Sequence, residues 1–134
     1  MSLMNLEPLA AQAANRMVDP ADAKTSENTL TKSLAVLTEQ GVYAFGLFLA
    51  TRGRDKEKNS VKLIDQHIRQ LLKDARLYQD SQPDMASYYR SISAQQDKET
   101  STDALRRLLL TKQLMEVTLT YARYHAKAFD KAAS

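Results

Sequence analysis

The sequence contains no cysteine, and only three glycines and three prolines among its 134 residues. The absence of cysteine excludes disulfide bonds, thiolate zinc sites, iron–sulfur sites and a cysteine nucleophile, and it fits a reducing compartment such as the cytoplasm. The scarcity of glycine and proline argues against a disordered, collagen-like or linker-like chain. A chain of this length predicts one domain with a hydrophobic core that needs no cross-links.

Long apolar runs are also lacking. The longest spans residues 42–50 (VYAFGLFLA), far short of the roughly 20 residues that cross a bilayer, so we expect a soluble protein with no membrane partner. The amino terminus shows no signal peptide, and Met1 to Leu3 resemble an expression remnant before a native start at Met4. With that remnant set aside, we expect a single all-helical domain over residues 4–131.

Apolar residues recur at spacings of three and four along the whole chain, which favours helices throughout. We expect an all-α, single-domain bundle of about five or six helices. The first covers residues 6–18. A second, short helix begins at a cap formed by Ser26 or Asn28 and ends at Gly41. The following apolar segment, to residue 51, is expected to be enclosed on most sides.

The carboxyl-terminal half continues the helical pattern after a charged loop at residues 52–60. Ser60 is expected to cap a strongly amphipathic helix that ends at Leu77, and Pro83 to open a short one. Thr100 and Asp103 form a capping pattern for a long last helix over about residues 103–129. That helix carries two apolar stripes, so it either packs centrally or packs its domain with one side and a partner with the other.

Catalytic patterns are hard to find. His67 and His125 stand outside any metal-binding motif, and helix-surface positions are expected for both. Gly41 and Gly46 have the spacing of a phosphate-binding loop, but Leu47 follows where lysine is required. The carboxylates lie among polar or basic neighbours, which favours surface ion pairs over acid–base catalysis. The sequence therefore predicts a protein that is not an enzyme and has no catalytic residue, metal or cofactor.

Basic residues share one face of the helix predicted after Ser60. These are Lys58, Lys62, Arg69, Lys73 and Arg76, interrupted by Asp65 and preceded in sequence by Arg52, Arg54 and Lys56. A second basic face on the last helix contains Lys112, Arg123 and Lys127, with Arg106 and Arg107 near its start. Cations at helical repeats can contact successive phosphates of a nucleic acid, but a solvated charged face is an equally ordinary interpretation of such a pattern.

Tyr88, Tyr89 and Arg90 form an aromatic and basic group that either stacks unpaired bases or packs half-buried. Packing is the favoured interpretation, because tyrosine commonly buries its ring and leaves its hydroxyl accessible.

The order of these features resembles the small helical subunit of type III-B CRISPR effector complexes, the RAMP-module family. The resemblance covers residues 6–129 and rests on LTEQGVYAFGLFLATR, on a Tyr-Tyr-Arg segment and on YARYHAKAF in the last helix. It implies a noncatalytic, RNA-binding protein of antiviral defence that stacks with copies of itself and other effector subunits in a ribonucleoprotein, beside guide RNA and target RNA.

With that family in view, charge geometry selects the RNA-binding candidates Arg52, Arg54, Lys62, Arg69, Lys73 and Arg76. Protein contacts are expected at Tyr88, Tyr89, Leu114, Tyr121 and Tyr124. The alternative function is a helical protein–protein adaptor, with no nucleic-acid role, that binds its partner through the two-sided last helix.

Overall fold

The computed structural model describes residues 6–53 and 55–133, and over these ranges the chain forms six α-helices and no β-strand. The helices are α1 (Glu7–Arg16), α2 (Ala23–Gln40), α3 (Val42–Arg52), α4 (Lys58–Asp74), α5 (Met85–Ser93) and α6 (Ser101–Ala133), with 3₁₀ turns at Pro20–Asp22 and Asp55–Glu57. The predicted all-α bundle with a long last helix is confirmed. The predicted remnant, Met1 to Leu3, and the domain start at Met4 lie outside the described residues.

The six helices share one hydrophobic core. α6 packs against α1 and α2, α2 also contacts α3 and α4, α1 lies on α4, and α3 lies on α5. The core includes Leu30, Leu37, Phe45, Ile64, Ile68, Leu72, Met115 and Leu119. The expected enclosure of α3 is wrong, because its neighbours cover one side and leave Tyr43 and Leu47 40% and 42% exposed.

α2 is longer than the sequence suggested, because its cap lies further upstream. The Asp22 carboxylate accepts a hydrogen bond from the Thr25 backbone N–H at 3.3 Å and starts the helix. The expected caps, Ser26 and Asn28, lie inside it. At the other end, Gly41 adopts a φ of 99° and its N–H donates to the Leu37 carbonyl, which ends α2 as predicted.

α4 also begins and ends earlier than expected. Ser60 is not its cap, because the side chain is buried with its Oγ 3.5 Å from Ser26 Oγ, where these small residues let α2 approach α4. At the carboxyl end Arg76 has a φ of 59°, so the backbone leaves the helix before Leu77. The Leu77 N–H then donates to the Leu72 carbonyl, which closes the last turn.

The last two helices begin with side-chain caps. Thr100 Oγ1 accepts from the Asp103 N–H at 3.1 Å, which confirms the cap predicted for α6. α5 is capped by Asp84, whose carboxylate accepts from the Ser87 N–H at 3.0 Å. Pro83 therefore lies just outside α5 rather than in its first turn.

Gly46 allows α3 and α5 to pack in direct contact. A Cβ at this position would lie 2.4 Å from the Cβ of Tyr89 and 2.7 Å from its ring. Such distances are far inside van der Waals contact, so no side chain fits without moving one helix away from the other. The close approach brings the Phe45 and Tyr89 rings together edge to face, with centroids 5.3 Å apart.

We expect Gly46→Ala to lower the free energy of unfolding by about 3 kcal/mol, because the added methyl group overpacks the contact between α3 and α5. Urea denaturation followed by circular dichroism measures the loss. Gly53→Ala is the matched control: the nearest atom to a new Cβ is 3.9 Å away and φ is −75°, so a change within about 1 kcal/mol is expected. Equal effects of the two substitutions would contradict the packing role of Gly46.

Candidate nucleic-acid interface

α4 separates apolar and basic residues onto two sides. Val61, Ile64, Ile68, Leu71 and Leu72 are buried. Lys58, Lys62 and Lys73 are exposed, and among the described residues none of them forms a salt bridge. At 100° and 1.5 Å per residue, Lys62 and Lys73 lie about 20° apart around α4 and about 16 Å apart along it. The two lysines thus present free charge on one outward strip.

Arg69 shares that face but is held by this chain's own groups. Its Nε lies 3.0 Å from both carboxylate oxygens of Asp65, and its guanidinium donates to the Gln82 and Pro83 carbonyls. The same group lies 4.2 Å from the centroid of the Tyr88 ring. With 22% of its side chain exposed, Arg69 is a structural residue, and its assignment as a free RNA contact is corrected.

The other predicted RNA contacts lie on different elements. Arg76 is exposed in the turn after α4, and Arg52 is exposed at the end of α3 with its guanidinium 5.2 Å from the Phe48 ring centroid. Arg54 lies outside the described residues. The predicted basic face is therefore not one continuous row of RNA-binding candidates: α4 supplies the exposed lysines Lys62 and Lys73, and Arg52 and Arg76 flank them in sequence.

A polar cleft beside this strip was not anticipated from the sequence. It lies between α4 and the segment that follows it and is lined by Gln66, Arg69, Gln70, Lys73, Tyr78, Gln79, Asp80 and Ser81. The helical spacing of α4 puts Gln66 and Gln70 near Lys73 around the helix. The second wall depends on how residues 77–83 turn back over α4, which helical periodicity does not predict.

Tyr88 and Tyr89 belong to the core. Both rings are buried, with centroids 4.9 Å apart and an edge-to-face geometry. The Tyr89 hydroxyl donates to Asp65 at 3.0 Å. Burial raises the pKa of both hydroxyls, so both stay protonated at neutral pH. Neither ring is accessible to a base or a partner, and their assignment to a protein interface is wrong.

The interface predicted on α6 separates into buried and exposed residues. Leu114 is fully buried, so its assignment as a partner contact is also wrong. Tyr121 is half-buried and its hydroxyl donates to Glu7 on α1 at 2.9 Å, whereas Tyr124 is 67% exposed. Leu105 and Leu109, which the sequence analysis did not single out, are 58% and 52% exposed on the first turns of α6.

Some cations on α6 form hydrogen bonds or an ion pair within the chain. Arg107 donates to the Ile92 and Ala94 carbonyls at 2.9 Å each and pairs with Glu99 at 2.9 Å. Lys112 donates to the Thr38 carbonyl at 3.3 Å. These bonds fasten α6 to the end of α5 and to the end of α2, so the second basic face offers fewer free charges than its sequence pattern indicates.

Titratable groups elsewhere are scattered rather than clustered. Partial burial, with a smaller contribution from Arg16, lowers the pKa of His67. Over residues 6–53 and 55–133, no three histidine, aspartate or glutamate side chains come together as metal ligands. None of the described helices combines the length and apolarity that a bilayer crossing requires.

We compared the chain with protein-family models, with curated proteins and with solved structures. None matches.

Replacing Arg69 tests the structural role given to it. Arg69→Lys keeps the charge, but a single ammonium cannot reproduce the bonds to Asp65 and to two backbone carbonyls, so we expect unfolding to become easier by about 2 kcal/mol. Arg90→Lys, at an exposed position on α5, should stay within about 0.5 kcal/mol. Thermal and urea unfolding of both variants make the comparison. An Arg69→Lys protein as stable as Arg90→Lys would refute the role.

Proposed function

We propose that this chain is a noncatalytic small subunit of an RNA-guided CRISPR effector complex similar to type III-B, and that α4 contacts the RNA backbone. The observation that carries the RNA contact is the pair of exposed lysines, Lys62 and Lys73, on one strip of α4. The resemblance of LTEQGVYAFGLFLATR and YARYHAKAF to the RAMP-module small subunit supports the proposed place in an effector complex. Guide RNA, target RNA, other effector subunits and further copies of the chain are the proposed partners.

The charge balance of α4 favours a polyanion over an acidic side chain as the occupant of this strip. Asp65 neutralises Arg69, so the exposed lysines Lys58, Lys62 and Lys73 outnumber the one remaining carboxylate, Asp74, which accepts from Gln70 at 2.8 Å. Lys62 and Lys73 are flexible cations about three helical turns apart. Charges at that separation can each attract a different phosphate of one strand, while no base is read by them.

Binding of short single-stranded RNA over a salt series tests this proposal. Each phosphate contact on a single strand adds about 0.7 to the slope of log affinity against log salt. Lys62→Gln combined with Lys73→Gln should therefore weaken binding and reduce the slope by about 1.4. Fluorescence anisotropy of labelled RNA gives both quantities.

The matched control is Lys24→Gln combined with Lys32→Gln, two exposed lysines on α2. It makes the same change in net charge and should leave the slope within about 0.5 of the original. If both double variants lower the slope equally, the strip on α4 has no special role and only net charge matters.

Exposed apolar side chains on α6 favour a second candidate, a helical adaptor that binds protein and not RNA. Leu105, Leu109 and Tyr124 each leave more than half of their surface in water. Neighbouring large apolar side chains exposed on one helix, such as Leu105 and Leu109 about one turn apart, are typical of a surface that a protein partner covers. Tyr124 lies about 22 Å further along α6. In the effector setting the same surface would contact a second copy of the chain.

Self-association tests whether the exposed apolar side chains of α6 bind a second copy of the chain. We expect light scattering to show a mass that rises with concentration, and Leu105→Glu with Leu109→Glu to suppress the rise at least about tenfold in dissociation constant. Ala35→Glu, at an exposed position on α2, should leave it unchanged. A chain that stays monomeric at every concentration would contradict self-association through α6.

A further inference from the structure

The cleft beside α4 has the volume of a site for a small ring-containing group. Its volume is about 240 Å³, and it is open to solvent between α4 and residues 78–81. Pockets for drug-sized ligands are typically about 300 to 1,000 Å³, so this cleft suits a group of one or two fused rings rather than a large ligand.

The walls of the cleft are held in place by contacts within the chain. The Tyr78 ring is buried and packs edge to face on Tyr88 with centroids 5.2 Å apart. The Tyr78 hydroxyl donates to Asp80 at 3.1 Å, and the Arg69 guanidinium binds the Gln82 carbonyl. A preformed cleft loses little conformational entropy on binding, which favours ligand affinity.

The lining combines one free cation with neutral hydrogen-bonding groups and a carboxylate. Arg69 is already paired with Asp65, so Lys73 is the free cation of the lining. Gln66 and Gln79 each offer an amide donor and an acceptor, and Asp80 offers acceptors only. A free phosphate would be repelled by Asp80. A nucleotide within a strand suits the lining better, because its phosphate can stay at Lys73 while its neutral base enters the cleft.

The Asp80 carboxylate favours a base that can donate a hydrogen bond to it. A carboxylate needs a donor, and cytosine, adenine and guanine each present an exocyclic amino group. Uracil instead places carbonyl oxygens on both sides of its single ring N–H, and these repel a carboxylate. The base must also be unpaired, because in a duplex its hydrogen-bonding edge is occupied by the complementary base.

We infer that this cleft binds one unpaired nucleobase with an exocyclic amino group and discriminates against uracil through Asp80, the adjoining phosphate lying at Lys73. The inference rests on the RNA-binding function proposed above. It adds a base preference to a contact that would otherwise be independent of sequence.

Homopolymers of cytidylate and uridylate of equal length test the inference with the full chain at neutral pH. The unmodified protein should bind the cytidylate strand at least about tenfold more tightly, as one hydrogen bond to a charged acceptor predicts. Asp80→Asn should reduce that ratio to below about twofold, because an amide carries no charge and can also donate to uracil. The new side-chain carbonyl can still accept from Tyr78, so the cleft wall stays in place.

Asp97→Asn, at an exposed position after α5, is the matched control. It makes the same change in net charge and should leave the ratio of the two affinities intact.

The possible results distinguish a failure of the proposed base site from a failure of the proposed RNA-binding function. Equal, salt-sensitive binding of both homopolymers would overturn the base site and leave the backbone contact standing. A cytidylate preference that survives Asp80→Asn would also overturn it, because the discrimination would then lie elsewhere. Failure to bind either homopolymer would overturn the proposed function, and the base site with it.

Discussion

One carboxylate connects the elements on which the rest of the structure depends. Asp65 accepts hydrogen bonds from Arg69 on its own helix and from the Tyr89 hydroxyl on α5. Arg69 in turn holds the chain at Gln82, immediately before α5. A half-buried ion pair is stabilising only when its geometry is good and its remaining groups are satisfied, and this one meets both conditions. The hydrogen bonds of Asp65 and Arg69 fix α5 against α4. The close contact between Gly46 and Tyr89 then positions α5 on α3.

This arrangement also decides which cations face solvent. Arg69, at the centre of the basic face, is bound to Asp65 and to backbone carbonyls of this chain. The positive charge available to a polyanion therefore comes from Lys62 and Lys73 on either side of it. The same guanidinium pulls residues 82–83 towards α4 and thereby forms the second wall of the polar cleft. A stabilising interaction and a candidate binding surface are thus two consequences of one side chain's position.

Helix positions were largely predictable, whereas the identities of the free surface residues were not. Apolar spacing located all six helices, and local capping chemistry identified Gly41 and Thr100 as boundaries. Asp65 and Arg69 were visible as neighbours on one face, but the partners that bury them come from elsewhere: Tyr89 lies 24 residues further along the chain than Asp65. Tyr88, Tyr89 and Leu114 were mistaken for interface residues for the same reason, since only the tertiary fold covers them.

We propose that RNA lies along the strip of α4 that carries Lys62 and Lys73 and in the cleft beside it. Photo-crosslinking of single-stranded RNA to the intact chain, followed by mass spectrometry of the crosslinked peptides, locates the contact without altering any residue. We expect crosslinks to concentrate between residues 62 and 81, on α4 and the segment after it. Crosslinks concentrated on α2 or along α6, with residues 62–81 unlabelled, would contradict the account.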